Sequence, residues 1–424
     1  MTVGGGARLH GLALDRGRPE GRALPRLSAP LRMGPVPHPP HHIVFGPGIV
    51  DRLGGLVAEL GVERAFVVTD PGIVAAGHWA RAEEALRAAD IEVRRFDAVR
   101  ENPTSLDVDR CVEALGSWDA SCLIGLGGGS SIDVAKGCAF LQAGGGSMAD
   151  YRGNGKARGN LLPIVAVPTT AGTGTEMQSF ALIGEEETHR KMACGDAQAL
   201  PALAVLDPSL TVTQPRFVTA CTGFDALGHA VETAVTRERN ATSAHFSSLA
   251  FKILVEHLPR VLDDPGDVEA RGQMMIGAAW AGYAIEHSML GAAHSMANPL
   301  TAQFGVVHGQ AVGMSLLPVV RYNASDPEAS RLYAELARGA ALAASESTDA
   351  EAVAALVARL EELLGVAGFG LSLAAHGVPP SAAEVLAPEA AEQWTAQFNP
   401  RAVSAEGFVE LFREACSGGD GVDP

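Results

Sequence analysis

Asp225 and His229 stand four residues apart in Gly223-Phe224-Asp225-Ala226-Leu227-Gly228-His229-Ala230, a run compatible with a helix. Residues i and i+4 lie one above the other on a helix face, about 6 Å apart along the axis. A carboxylate and an imidazole on adjacent turns can grip one cation. Two further histidines, His294 and His308, follow in Gly-punctuated segments of their own. Three neutral imidazoles and one carboxylate form a donor set suited to Fe²⁺ or Zn²⁺. Singly, each residue has a plainer reading. Any of the histidines fits a core or surface position, and Asp225 fits a helix start after Thr222-Gly223. His287 competes with His294, but seven residues of continuous helix separate them by about 10.5 Å, too far to share an ion. His245, His257 and His376 have no partner spacing.

These residues need elements to position them. From His42 to about Leu206, apolar β-rich runs alternate with helical patterns. Ala65–Val68 ends at Asp70-Pro71-Gly72, Cys122–Leu126 runs into Gly127-Gly128-Gly129-Ser130-Ser131, and Pro163–Val167 runs into Pro168–Gly174. Continuous apolar strands, each followed by a Gly/Thr loop, predict a parallel sheet covered on both faces. After Leu206-Asp207-Pro208 helical periodicity takes over. The expected fold is an α/β, Rossmann-like dinucleotide-binding domain over 39–208, followed by an all-α metal-binding domain over 209–416. The first 38 residues carry six arginines against one Asp and one Glu, with many Gly and Pro. They read as a disordered extension or as sequence upstream of a start at Met33; residues 417–424 read as a frayed tail.

Composition narrows the function classes. The chain has 424 residues, 47% hydrophobic and 19% charged, enough for two globular domains. A net charge of −17 with no basic face argues against nucleic acid. No apolar run reaches the roughly 18 to 20 residues that span a bilayer. Cys111, Cys122, Cys138, Cys194, Cys221 and Cys416 form no CxxC pair and sit mostly in apolar surroundings, as in a cytoplasmic protein.

The three loops carry the nucleotide signal. Gly127–Gly129 lets backbone approach a pyrophosphate, Ser130 or Ser131 can cap the following helix, and the helix N-terminus favours an anion. The run is not GxGxxG, and no strand-end acid follows about 20 residues later. Asp70 is the nearest strand-end acid; it fits a ribose-binding carboxylate and equally a turn residue before Pro71-Gly72. Three such loops at strand carboxyl ends form the stronger pattern, because ligands bind there in open α/β sheets.

In combination and order, Gly127–Lys136, Pro168–Glu176, Gly223–Glu232 and His294 through His308-Gly309 resemble the iron-containing (group III) alcohol dehydrogenases. Asn102-Pro103-Thr104 and Asn399-Pro400-Arg401 are similar to features of that family, and the resemblance spans roughly His42 to Cys416. It implies that Asp225, His229, His294 and His308 hold Fe²⁺ or Zn²⁺. It implies that Gly127, Gly128, Gly129 and Ser130 hold the pyrophosphate and that Asp70 selects NAD over NADP. Asn102, Asp133, Thr169, Thr170, Thr173 and Lys191 fall on the cofactor side by the same likeness.

One departure stands out. The family commonly carries a further histidine four residues after the third ligand, in a proton-transfer role, and here that position is Asn298. Asparagine can orient a hydroxyl or a water but cannot exchange a proton near neutral pH. The expectation is therefore a metal-dependent, NAD(H)-linked alcohol dehydrogenase acting on a small alcohol or aldehyde, assembled as a homodimer or larger homo-oligomer. Competing readings on the same fold are a maleylacetate reductase, a hydroxyacid–oxoacid transhydrogenase and a polyol dehydrogenase. A non-catalytic NAD-binding assembly protein fits less well, because all four ligand positions are filled.

Overall fold

The computed structural model describes residues 42–188 and 190–418. The expectations for residues 1–38, and for the tail beyond Gly418, lie outside the described residues; Ser417 itself closes the last helix. Six strands form one parallel sheet: β1 (His42–Phe45), β2 (Arg64–Val68), β3 (Glu92–Phe96), β4 (Cys122–Gly127), β6 (Ile164–Pro168) and β9 (Leu203–Leu206). Helices α1 (Leu53–Ala58), α2 (Pro71–Ala75), α3 (His78–Arg87), α4 (Ser105–Leu115) and α5 (Gly129–Gly144) connect and cover it.

The apolar runs are continuous because both sheet faces are buried. Phe66, Val68 and Leu123 join one core with α4 and α5, while Ala65, Val67, Ile124 and Leu126 join the other with α1 and α3. Strand order runs β3-β2-β4-β6-β9-β1. The chain therefore steps from β2 outward to β3 and returns to β4 on the other side of β2. The carboxyl ends of β2 and β4 flank this reversal, where open α/β sheets leave a crevice for ligands.

A second, three-stranded sheet was not anticipated. It consists of β5 (Gly153–Asn154), β7 (Phe180–Gly184) and β8 (Lys191–Gly195), with β7 and β8 antiparallel. Its signal is the alternation in β7, where Ala181 and Ile183 are buried and Leu182 is 36% exposed.

From Arg216 onward the described structure is helical: α6 (Arg216–Val235), α7 (Ala241–Asp263), α8 (Val268–Glu286), α9 (Ala292–Phe304), α10 (His308–Asn323), α11 (Pro327–Gly339), α12 (Asp349–Ala367), α13 (Ala383–Glu392) and α14 (Ala405–Ser417). Helix α6 lies at the centre, against α7, α8, α9 and α10, and from Gly223 to Val235 every residue is buried. Among the described residues no helix is long and apolar enough to cross a membrane.

Candidate active site

Asp225 sits in the middle of α6, nine residues past its start at Arg216, so it is not a helix-start residue. His229 follows one turn later on the same face. His294 is the third residue of α9 and His308 the first of α10. Tight helix packing brings them together. A Cβ on Gly309 would lie 1.9 Å from the Cys221 carbonyl oxygen, so only glycine lets α10 begin against the α6 backbone. Asp225 Oδ1 lies 3.3 Å from His229 Nε2, 3.4 Å from His294 Nε2 and 3.6 Å from His308 Nε2. The His229 and His294 rings stack at 4.8 Å, 17° from parallel. Asp225, His229 and His294 are buried, whereas the His308 side chain is 23% exposed and marks the open side. His287, the rival, closes α8, where its ring meets Tyr283 at 4.4 Å, tilted by 48°.

The electrostatics suit a cation. Burial alone would push the Asp225 carboxyl up, but His229, His294 and His308 outweigh it and hold it well below the usual carboxylate range. Burial lowers His229 to about 4. His308 is also pushed well down, by burial first and Lys191 second. His294 behaves differently: burial opposes its charge, yet Glu232 and Asp225 raise it to about 9. An ionised carboxylate with neutral imidazoles is the protonation state that metal ligands need. The two carboxylates around His294 draw positive charge to this point, which a proton or a cation satisfies. The donor atoms of Asp225, His229 and His294 lie within 4.8 Å of one another in a buried cluster, with His308 approaching the same carboxylate from the open side, a donor set that fits Fe²⁺ or Zn²⁺.

Glu232 was not singled out from the sequence. Its Oε2 accepts a hydrogen bond from His294 Nδ1 at 2.5 Å, and its Oε1 accepts from the Ala293 N–H at 2.7 Å. It fixes which ring nitrogen of His294 faces Asp225. The signal was present: Asp225, His229 and Glu232 are spaced i, i+4, i+7, one face of a helix.

At the sheet, Asp70 and the glycine loop meet across the strand reversal. Asp70 caps α2 by accepting from the Ile73 N–H at 3.0 Å, and Ser131 Oγ donates to its other oxygen at 3.4 Å. The capping expectation for Ser130 and Ser131 is corrected: Gly128 occupies the cap of α5 and no side chain caps it. A Cβ on Gly127, at φ +152°, would lie 2.5 Å from Ser131 Oγ. Thr170 faces Gly128 and Thr173 faces Gly129, so the second and third loops close over one another. Thr169 is buried, and its N–H donates to the Gly127 carbonyl at 2.9 Å. Asn102 projects at the end of the β3 loop in a left-handed conformation, φ 52°.

Asp133, expected on the cofactor side, sits within the first turns of α5. Its carboxylate is buried and already accepts from Thr175 Oγ1 at 2.6 Å and from the Leu182 N–H at 3.2 Å. It supports the loop from beneath. Lys136, one turn on, was named only within its motif; its buried Nζ donates to the carbonyls of Thr175, Gln178 and Phe180 at 2.7, 2.7 and 2.9 Å. Lys191 opens β8, where burial lowers its pKa and the charges of Asp225 and Asp133 oppose that shift. Its charge acts on both Asp133 and the Asp225–His308 cluster. Asn298 lies one turn beyond His294, and its Nδ2 donates to Gln393 Oε1 at 3.0 Å.

Residues 40–208 match the sequence family "Iron-containing alcohol dehydrogenase", and residues 219–416 match "Fe-containing alcohol dehydrogenase family, C-terminal". Alcohol dehydrogenase 4 of Schizosaccharomyces pombe is 35% identical over 70% of this chain and 71% of its own length. The NAD-dependent methanol dehydrogenase of Bacillus methanolicus is 31% identical over 88% of this chain and 97% of its own. Among solved structures, a 1,3-propanediol oxidoreductase superposes with a TM-score of 0.85 at 29% identity, covering 88% of this chain and 97% of the other.

Proposed function

With the chain belonging to the iron-containing alcohol dehydrogenase family, an NAD- and metal-linked family of oxidoreductases acting on alcohols, we propose that Asp225, His229, His294 and His308 hold its catalytic cation. The observation that carries this assignment is the approach of three Nε2 atoms to Asp225 Oδ1 within 3.3 to 3.6 Å. We further propose a reversible oxidation of a small primary or secondary alcohol to an aldehyde or ketone.

A divalent cation bound there supplies Lewis acidity toward an alcohol or carbonyl oxygen, and NAD supplies the hydride acceptor. The chain's own side chains do the rest. Gly127, Gly128, Gly129 and Ser130 admit the pyrophosphate to the start of α5, where the helix N-terminus favours an anion. Asp70 faces the ribose hydroxyls and disfavours a 2′-phosphate. Thr169, Thr170, Thr173 and Lys191 line the cofactor between the sheet and the histidines, with Asn102 at the crevice edge. Burial of Asp225, His229 and His294 excludes water from the reacting end, while the half-open His308 side admits the alcohol. Asn298, held by Gln393, orients a hydroxyl or water; the proton leaves by water or ribose hydroxyls, because a carboxamide does not titrate near neutral pH.

In this reading residues 39–208 form the cofactor domain and 209–416 the metal domain, a division supported by the change from sheet to helices after Leu206. A cytoplasmic setting is supported by six buried, unpaired cysteines, and a homodimer or larger homo-oligomer by family membership. Metal analysis of anaerobically purified protein, coupled to an NADH-linked screen of short alcohols, diols and aldehydes, tests the proposal. The expected result is one Fe²⁺ or Zn²⁺ per chain and metal-dependent turnover; full activity after metal removal would overturn it.

A further inference from the structure

Helix α9, which presents His294 at its third position, begins without a capping side chain of its own, because its cap residue is Gly291. The first N–H groups of a helix have no intrahelical acceptor and need one from elsewhere. Here two remote side chains supply them. Ala293 N–H donates to Glu232 Oε1 at 2.7 Å, and Ala292 N–H donates to Asn399 Oδ1 at 3.2 Å. A Cβ on Gly291 would lie 2.9 Å from Asn399 Oδ1 and 3.1 Å from Glu232 Oε1, so the two acceptors close over the turn itself.

Asn399 is in turn held from every side. Its Nδ2 donates to Asn323 Oδ1 and to the Arg401 carbonyl, each at 2.6 Å. Asn323 Nδ2 donates back to Asn399 Oδ1 at 3.1 Å and to Tyr333 Oη at 3.1 Å. Asn323, Asn399 and Tyr333 are each 1% exposed. Asn323 is the last residue of α10, the helix whose first residue is His308. One carboxamide pair therefore joins the start of the His294 helix to the end of the His308 helix. The same strand of chain adds a second tie, a 2.7 Å hydroxyl contact between Thr395 and Ser295, the residue after His294.

We propose that Asn399 is a positioning residue: with Asn323, it sets where α9 begins and so places His294 Nε2 against Asp225. The proposal rests on the assignment of Asp225, His229, His294 and His308 as metal ligands. It gives the Asn399-Pro400-Arg401 segment, which the reaction itself does not use, a defined task. A buried polar pair with matched donors and acceptors specifies one geometry, where an apolar pair would let the two helices slide.

The test is metal affinity of the full chain, stripped by chelation and titrated with Zn²⁺ in chelator competition, with Co²⁺ absorption reporting ligand geometry. Wild type is expected to bind one ion and Asp225→Asn to lose it; if wild type binds none, the metal assignment falls, and this inference with it. Given wild-type binding, Asn399→Ala is expected to weaken Zn²⁺ binding about 10- to 100-fold, the size of effect seen when ligand-orienting partners are removed, and to alter the Co²⁺ spectrum. Thr348→Ala, which removes the cap of the distant α12, is expected to leave both unchanged. Asn399→Ala within threefold of wild type and with an unaltered spectrum would overturn the proposal. So would an equal loss of affinity in Thr348→Ala. Should Asn399→Ala not fold, Asn399→Ser and Asn323→Ser are judged by the same criteria.

Discussion

Ser131 Oγ and Asp70 Oδ2 meet at 3.4 Å across the point where the strand order reverses, although 61 residues separate them in the chain. The contact ties the carboxylate at the end of β2 to the first turn of α5, so the loop after β2 and the glycine loop after β4 meet at one edge. Asp70 also caps α2 through the Ile73 N–H. Asp70→Asn keeps a capping oxygen and removes the charge. Repulsion of a 2′-phosphate in a partly exposed crevice is worth about 1–4 kcal/mol. The ratio of kcat/KM for NADPH over NADH is therefore expected to rise about fivefold or more in Asp70→Asn. An unchanged ratio would remove Asp70 from cofactor selection.

Glu232 holds His294 from behind, and the interaction is buried: Glu232 is 3% exposed. Glu232→Gln preserves shape while removing the charge that favours the Nδ1–H tautomer. Zn²⁺ affinity is expected to fall about 10- to 100-fold with NADH affinity unchanged. Chelator competition and NADH fluorescence measure the two separately; parallel losses in both would point to general misfolding instead.

Chelation should destabilise the chain as well as silence it. A ligand that binds only the folded state at 100 times its Kd contributes about 2.7 kcal/mol. For a chain built of domains of this size, the melting temperature is expected to drop by roughly 5–10 °C on metal removal. Calorimetry before and after chelation, then with Fe²⁺ or Zn²⁺ restored, checks the shift. A melting curve indifferent to metal would argue that the four side chains hold no ion in the folded protein.

Much of this was legible in the residues themselves. The buried strands were readable because a sheet covered on both faces leaves no polar alternation, as in Ile164–Val167. The pairing of Asp225 with His229 was readable because helical spacing is local. That His294 and His308 converge on that pair was not a spacing result, since His308 depends on Gly309 meeting the Cys221 backbone and His294 is held by Glu232, each across two helices. The hydrogen-bond partners of Asp133 were hidden for a related reason. Its motif position fits a cofactor contact, yet tertiary packing turns its carboxylate toward Thr175 and Leu182. Lys136 and Asn399 were named only within motifs; their roles stayed hidden because their partners are backbone groups and side chains far away in sequence, which composition and periodicity do not reveal.

Glu176 makes the stability of the chain depend on pH in a direction opposite to most carboxylates. Burial pushes its carboxyl up to about 7, with the nearby Lys136 charge opposing the shift. A carboxyl raised in the folded state binds its proton more tightly there than in the unfolded chain. Between its ordinary 4.5 and about 7, the folded protein thus carries the extra proton, and stability falls as pH rises through that window. The full effect, up to about 3 kcal/mol at 1.36 kcal/mol per unit, is present above pH 7 and absent below 4.5. Glu176→Gln keeps the shape without titrating. Urea unfolding of both proteins from pH 5 to 8 is expected to give stabilities that are similar at pH 5 and diverge in favour of the variant by pH 8. Two curves that stay parallel across this range would mean that Glu176 is ionised in the folded protein throughout.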